Sequence, residues 1–434
     1  PTRGAPGPAT AAPRTRVQPS AAVTTPTIAP TVAAPPSTDA AAAAGSGADT
    51  FVWTRQWYPC AVIECLDATR PHPFTLLGRD LVLWKDGSGA WRAFEDACPH
   101  RLAPLSEGRI EPDGTLLCAY HAWRFDGSGA CTSIPQAESQ EAVRKACNSP
   151  RSCAKTYPTR EAQGLLWVWG EPGPAGEAES ALKQPALISE LEPWFFRDLP
   201  YSHDFFIENV TDPAHVNVSH HNVAGNRYAP DQYFDLNELR PVTANGGFKY
   251  EVKDQVFLHQ QERIVAGRAA TSHTAKYFLP APTDNMTVAF RTWLGTQAGG
   301  GIPYAGSRTL GPIDRSKASL FDTFHTHTEQ CAVCKPALKN LQTARASRAR
   351  LTNVSTSSTE FLPPSLVKIR VEYESGAALI LALYSSPTIP GHTRHIGRQV
   401  LVKDEAGELP RGLAFFAAPM PKWLNHTLAS VFLH

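Results

Sequence analysis

Two short strings constrain this chain more than any other feature in it. Cys98-x-His100 is followed, after 17 residues, by Cys118-x2-His121. Each string pairs one thiol with one imidazole across a span that fits a single tight loop. Two thiolates and two imidazoles suit either zinc or a 2Fe–2S centre with mixed ligation. Zinc fingers usually pair Cys with Cys and His with His, whereas each loop here carries one of each. That arrangement lets both cysteines bind one iron and both histidines the other, and the imidazoles raise the potential of such a cluster. The competing reading, buried cysteines beside incidental histidines, leaves the matched spacing unexplained.

The rest of the composition is consistent with metal chemistry. The chain has 434 residues, with 9 Cys and 15 His. An odd cysteine count in a chain of this size points to metal or redox chemistry rather than a disulfide framework. Cys60, Cys65, Cys131, Cys147 and Cys153 lack metal spacing with one another and read as buried or spare thiols. Lys and Arg number 41 against 40 Asp and Glu, so no basic field exists to hold nucleic acid. No run of 18 apolar residues appears, so no segment reads as a membrane span.

Residues 1–49 stand apart, with 15 Ala, 9 Pro, three Arg and only Asp39 and Asp49 as acids. Such a segment cannot bury enough apolar surface to offset chain entropy and reads as disordered. Its composition is that of an organelle transit peptide, with a plain linker as the alternative. Folded sequence starts near Phe51. Residues 74–94 alternate apolar and polar side chains around an Asp-Gly-Ser-Gly turn and predict strand, turn, strand. Further strands are expected at 116–118 and 165–169, giving a small antiparallel β domain over 51–172. Residues 171–179 (EPGPAGEAE) read as a linker. A second unit, 188–434, mixes strand-like runs (365–374, 377–386, 395–403) with helix-like ones (206–215, 323–348). The expected fold class is α+β: the small β domain plus a larger domain whose antiparallel sheet is flanked by helices.

A second constellation lies at 208–225, ENVTDPAHVNVSHHNVAG. On a helix Asp212 and His215 share a face, but His220 falls about 140° round from His215 at ~100° per residue. A bend in the β-branched stretch between them brings both imidazoles to one ion. Two His and one carboxylate with open positions form the facial triad of non-haem Fe(II) oxygenases. His221 is a weaker substitute for His220.

The first string is the Rieske fingerprint, and the two constellations together resemble the Rieske non-haem iron oxygenases. Three further strings, at 254–262, 277–294 and 321–341, look like the chloroplast group that holds pheophorbide a oxygenase, chlorophyllide a oxygenase and inner-envelope Rieske proteins. The resemblance runs over about residues 53–434. It implies a 2Fe–2S cluster on Cys98, His100, Cys118 and His121, and a mononuclear Fe(II) on His215, His220 and Asp254. It implies that Asp212 bridges a Rieske His of a neighbouring subunit of a homotrimer to an iron-bound His, with Asn209 close by. Reduced ferredoxin would supply electrons and a chlorophyll-derived tetrapyrrole would be the substrate, most closely as in pheophorbide a oxygenase. The setting implied is the chloroplast. Cys331-x2-Cys334 is typical of the pheophorbide a oxygenase and envelope members, where it is linked with thioredoxin-type control. Taken alone, such a CxxC also fits half a zinc site or two buried thiols.

The chain departs from this group in one respect. Asp254 sits in a string of the expected type, although Lys253 stands where Gln is usual, but it follows His220 by only 34 residues. Relatives place on the order of a hundred residues there, filling the sheet that brings the carboxylate to the triad. Residues 355–434 resemble that missing block, and 430–434 (SVFLH) echoes 255–259 (QVFLH). The block order therefore reads as rearranged after residue 253. Asp314, Asp322 and Glu329 are the competing carboxylates. If none reaches the iron, the rival function is an envelope electron carrier or redox sensor with no oxygenase activity. Relatives also tend to end in hydrophobic membrane helices, which leaves membrane attachment open here.

Overall fold

The computed structural model describes residues 50–188, 194–212, 228, 237–251, 266, 284–312, 314, 330–332 and 354–409. Pro1–Ser46 and Gly47–His434 form two units, and every described residue lies in the second. Three small antiparallel sheets are built from residues 57–169. The first joins β2 (His72–Leu76), β3 (Arg79–Lys85), β4 (Trp91–Glu95) and β9 (Thr156–Tyr157) in that order. The second joins the very short β5 (Arg109–Ile110), β6 (Leu116–Leu117), β7 (Arg124–Phe125) and β8 (Cys131–Ser133). The third sets β11 (Leu165–Trp169) between β1 (Trp57–Val62) and β10 (Thr159–Ala162).

Two sequence expectations are corrected in this half. The stretch 74–94 contains two turns, not one. Leu77 and Gly78 both take positive φ, 51° and 79°, and close a two-residue hairpin between β2 and β3. That mirror-image turn matches the twist of paired strands. The supposed linker carries a helix of its own, α2 (Gly173–Leu182). Pro174 fits the first helical turn, where no N–H is needed, and the run after it is rich in Ala and Glu. Trp57 Nε1 donates to the Lys183 carbonyl at 3.0 Å and so ties the end of this helix to β1.

The larger sheet has seven antiparallel strands in the order β12 (Phe195–Leu199), β18 (Thr393–Val402), β17 (Ala378–Pro387), β16 (Leu366–Tyr373), β15 (Val354–Leu362), β14 (Gly247–Glu251), β13 (Asn237–Thr243). Helix α3 (His203–Val210) packs on β17, and α4 (Asn285–Thr296) packs on α3, β13 and β14. The α+β class expected from sequence is the one observed. One apolar core joins the halves: Phe51 and Trp53 meet Trp293 of α4, which meets Phe361 of β15 at 5.2 Å between ring centroids. Edge-to-face pairs of this kind add about 0.5–1.5 kcal/mol each beyond area burial.

The helix expected at 206–215 ends sooner. Val210 is the last residue of α3, and Asp212 lies beyond it, its N–H donating to the Asn209 carbonyl at 3.0 Å. The physical reason is in the sequence: Pro213 disfavours helical backbone in the residue before it. Asp212 therefore lies past the end of α3. The other helix-like run, 323–348, lies outside the described residues except Gln330, Cys331 and Ala332.

Candidate metal centre

The four residues of the first constellation come together at the tips of two loops with one shared geometry. Cys98 N donates to Ala103 O at 2.8 Å and Leu102 N to Cys98 O at 2.8 Å. In the second loop Cys118 N donates to Trp123 O at 2.9 Å and Ala122 N to Cys118 O at 3.0 Å. The residue four after each cysteine takes left-handed backbone, Leu102 at φ 59° and Ala122 at φ 56°. Non-glycine residues in that conformation are costly, so two at matching offsets mark a built feature. The histidine stands two places after the cysteine in one loop and three places after it in the other.

The consequence is a division by depth. Cys98 and Cys118 are buried in one core with Trp84, Leu105 and Phe125. His100 and His121 lie at the rim with ring centroids 4.6 Å apart. Trp123 stacks on His100 at 4.7 Å with 5° between the planes, and Tyr120 lies 3.9 Å from the His121 ring. Gln136 Nε2 donates to the His121 carbonyl at 2.8 Å. Ser106 donates through N and Oγ to Asp96 at 2.7 and 2.6 Å, which pins the base of the first loop. Sequence reasoning did not give the contact of Trp123 with the His100 ring. It missed Gln136 and the left-handed positions, where neither Leu nor Ala signals positive φ.

The surroundings of Cys98 and His121 fit a thiolate ligand and a neutral imidazole ligand. Burial pushes the Cys98 thiol up to about 11, so the thiolate needs a cation to exist there. His121 is held below the usual histidine range by desolvation and then by His100 and Arg101, which keeps the ring in its ligating, neutral form. Among the described residues no three His, Cys, Asp or Glu side chains converge on one point. A single ion with three protein ligands is therefore absent from that set. A two-iron cluster needs only two side chains per iron, and the paired thiols and paired imidazoles supply them.

Comparison with known proteins decides the family. A model of the Rieske [2Fe-2S] domain matches residues 56–158. Pheophorbide a oxygenase of Arabidopsis thaliana is 30% identical over 397 residues, covering 67% of this chain and 74% of that protein. This chain belongs to the pheophorbide a oxygenase-like Rieske oxygenases.

Other members of the group are similar over shorter stretches. Pheophorbide a oxygenase of Oryza sativa subsp. japonica is 49% identical over 212 residues, 45% of this chain and 40% of that one. Protein TIC 55 of Arabidopsis thaliana is 41% identical over 175 residues, 39% of this chain and 31% of that one. All three are named as chloroplastic. Among solved structures, dicamba monooxygenase bound to dicamba overlays with a TM-score of 0.47 at 16% identity, covering 87% of this chain and 88% of that one. Members of this family are oxidoreductases that incorporate oxygen, and the Rieske domain is their 2Fe–2S module.

In the oxygenase half, α3 carries Asn209 in its last turn and Asp212 just beyond it. Thr211 Oγ1 donates back to Ile207 O at 2.8 Å and closes the helix end. Arg291 of α4, its side chain fully buried, bridges Glu208 and Asp204 of α3, the latter at 2.7 Å. Sequence reasoning missed His203, buried at the start of α3 with Nδ1 2.9 Å from Ser385 Oγ. It also missed His395, buried with Nδ1 3.0 Å from Tyr384 O. His215, His220, Asp254 and Cys334 lie outside the described residues, as do Asp322 and Glu329. Cys331 is fully buried in a core it shares with Cys65. No helix among the described residues is long and apolar enough to cross a membrane.

Proposed function

We propose that this chain is a chloroplast Rieske monooxygenase acting on a chlorophyll-derived tetrapyrrole, with reduced ferredoxin as electron source. The observation that carries this reading is the 30% identity to pheophorbide a oxygenase across 74% of that protein, spanning far more than the cluster domain. The paired cluster loops support it. When bound, the 2Fe–2S group passes single electrons. The chain's own part is to bury the two sulfurs away from water and to leave both imidazole edges at the rim. Those edges form the exit, and Trp123 and the Gln136 contact hold them in place.

Residues 51–172 form the Rieske domain in this reading, 188–434 the mononuclear iron domain and 1–49 a transit segment. His215, His220 and Asp254 hold the mononuclear Fe(II), and Asp212, with Asn209 beside it, links them to the cluster of a neighbouring subunit in a homotrimer. Cys331 and Cys334 act as a dithiol switch addressed by thioredoxin. A displaced block at Asp254 predicts a gap in the alignment with that relative. The alignment's 397 positions draw on 67% of the 434 residues, about 290, so on the order of a hundred positions of the relative stand opposite a gap. Continuous transcript reads through the Lys253–Asp254 junction would defeat a gene-model origin for that gap.

The test is iron per chain and the EPR spectrum of the reduced, anaerobically purified protein, followed by turnover of pheophorbide a and chlorophyllide a with O2 uptake. Three irons per chain, a Rieske signal and ferredoxin-dependent O2 uptake with either pigment support the reading. Three irons without turnover of any chlorophyll-derived pigment sink the substrate assignment. Two irons and no O2 uptake leave an electron carrier.

A further inference from the structure

Next to the cluster lies a second pair of sulfurs that no cluster ligand uses. Cys147 Sγ is 3.1 Å from Cys131 Sγ. Cys131 is the first residue of β8, the edge strand of the sheet whose β6 leads into the Cys118 loop. Cys147 is the last residue of α1 (Gln140–Cys147), a helix with no buried residue. Only its last turn reaches the core, through Ala146 and Cys147. Its start is capped by Ser139, which accepts from Ala142 N at 3.1 Å, and its end by Ser152, which donates to Cys147 O at 3.1 Å. Between the two cysteines lies Gln136, the residue that donates to the His121 carbonyl. The sulfur pair thus closes the segment that supports a cluster ligand.

We propose that Cys131 and Cys147 are a reversible dithiol–disulfide pair that locks α1 onto β8 and so stiffens the support of the His121 loop. The oxidant class is a small disulfide. Cys147 is half-buried and reachable, so its thiolate attacks one sulfur of the oxidant, expels one thiolate and forms a mixed disulfide. The Cys131 thiolate, already in contact, attacks the Cys147 sulfur and expels the second thiolate. Two protein thiols and one external disulfide become one protein disulfide and two external thiols. Reduction by a dithiol runs the same steps backward. The buried partner explains the selectivity: burial pushes the Cys131 thiol up to about 12, so it stays silent until Cys147 presents it with a disulfide sulfur.

Trypsin separates the relevant cysteines. Cleavage after Arg124, Arg144, Lys145, Arg151 and Lys155 places Cys131 in residues 125–144, Cys147 in 146–151 and Cys153 in 152–155. The cluster-loaded full chain is equilibrated with oxidised glutathione, alkylated and mapped by mass spectrometry. Peptides 125–144 and 146–151 should appear linked, and dithiothreitol should release them. Cys147→Ser should abolish the link without moving it to Cys153. Amide exchange over residues 134–147 should slow about tenfold on oxidation in the wild type and stay unchanged in Cys147→Ser. The reduced Rieske EPR spectrum should sharpen only in the oxidised wild type. Absence of the linked peptide, or a Cys131–Cys153 link instead, overturns the pair. A linked peptide with unaltered exchange and EPR overturns its action on the cluster loop.

Discussion

Replacing Arg291 by Met tests how the oxygenase half holds its site. Arg291 of α4 is fully buried and bridges Asp204 and Glu208, which lie one turn apart on α3. Its guanidinium also sits 4.7 Å from the Phe205 ring centroid. Met keeps the apolar stem and removes the charge. Glu208, only 6% exposed, then loses its guanidinium partner inside the core, whereas Asp204 at 15% keeps some solvent. Breaking a buried pair in this way costs about 3–5 kcal/mol. Adding Glu208→Gln removes the buried carboxylate charge, so the double variant should cost about 1–2 kcal/mol, less than Arg291→Met alone by about 2–3 kcal/mol. The assay is urea denaturation of all four forms at pH 7.5. Because α3 carries Asn209 and leads to Asp212, Arg291→Met should also lower mononuclear iron while leaving the Rieske EPR signal intact. Additive costs in the cycle, or equal loss of both iron centres, would refute the reasoning.

Burial holds His203 and His395 near neutrality down to about 4 and about 3. The unfolded chain takes up those protons near pH 6.5, so the stabilisation is present above 6.5 and is lost as pH falls toward 4. Between pH 7 and 5 each histidine should cost about 2 kcal/mol; His395→Asn should remove about half of that pH dependence in urea titrations, and an unchanged slope would contradict it. Leu102 is 74% exposed and carries φ 59°, so Leu102→Gly should raise stability by about 0.5–1 kcal/mol with the Rieske signal preserved. A destabilised variant would mean the side chain has a role. Trp123→Ala removes the stack on His100 and should broaden the Rieske EPR line and cost about 1 kcal/mol, whereas Trp123→Phe should keep the narrow line.

The cluster was legible because its chemistry is local. Four ligands within 24 residues need only two tight loops, and the types and spacing of the side chains specify both. The left-handed Leu102 and Ala122 were not legible, since neither residue type signals positive φ; the backbone adopts it because the loop bonds to Ala103 and Trp123 require it. The strands of the large sheet were readable to within two residues at β16, β17 and β18, where apolar–polar alternation in β16 and a short apolar run in β17 favour extended backbone. The helix end at α3 was misjudged although Pro213 announced it. His203 and His395 carried no signal at all: a buried histidine paired to a serine or a carbonyl depends on partners 182 and 11 residues away.

The large sheet bears on the odd position of Asp254. From β13 to β18 the spatial order is the chain order, a simple meander, and β12 closes it against β18. Neighbours in a meander are joined by short hairpins, commonly of two to five residues. β15, β16, β17 and β18 obey this, and so do β13 and β14. Only β14 and β15 do not. They pair antiparallel, with Phe248 opposite Phe361 and Glu251 opposite Ser358, yet the chain runs from 252 to 353 between them. β14 ends two residues before the Lys253–Asp254 junction, and β15 begins within one residue of the block that reads as displaced. Joining Lys253 directly to Val354 turns the excursion into a hairpin loop of about six residues in the observed register. That join would give the long-range pairing and the sequence pattern one cause, since strand pairing depends on complementary faces and register, not on the length of chain between the strands.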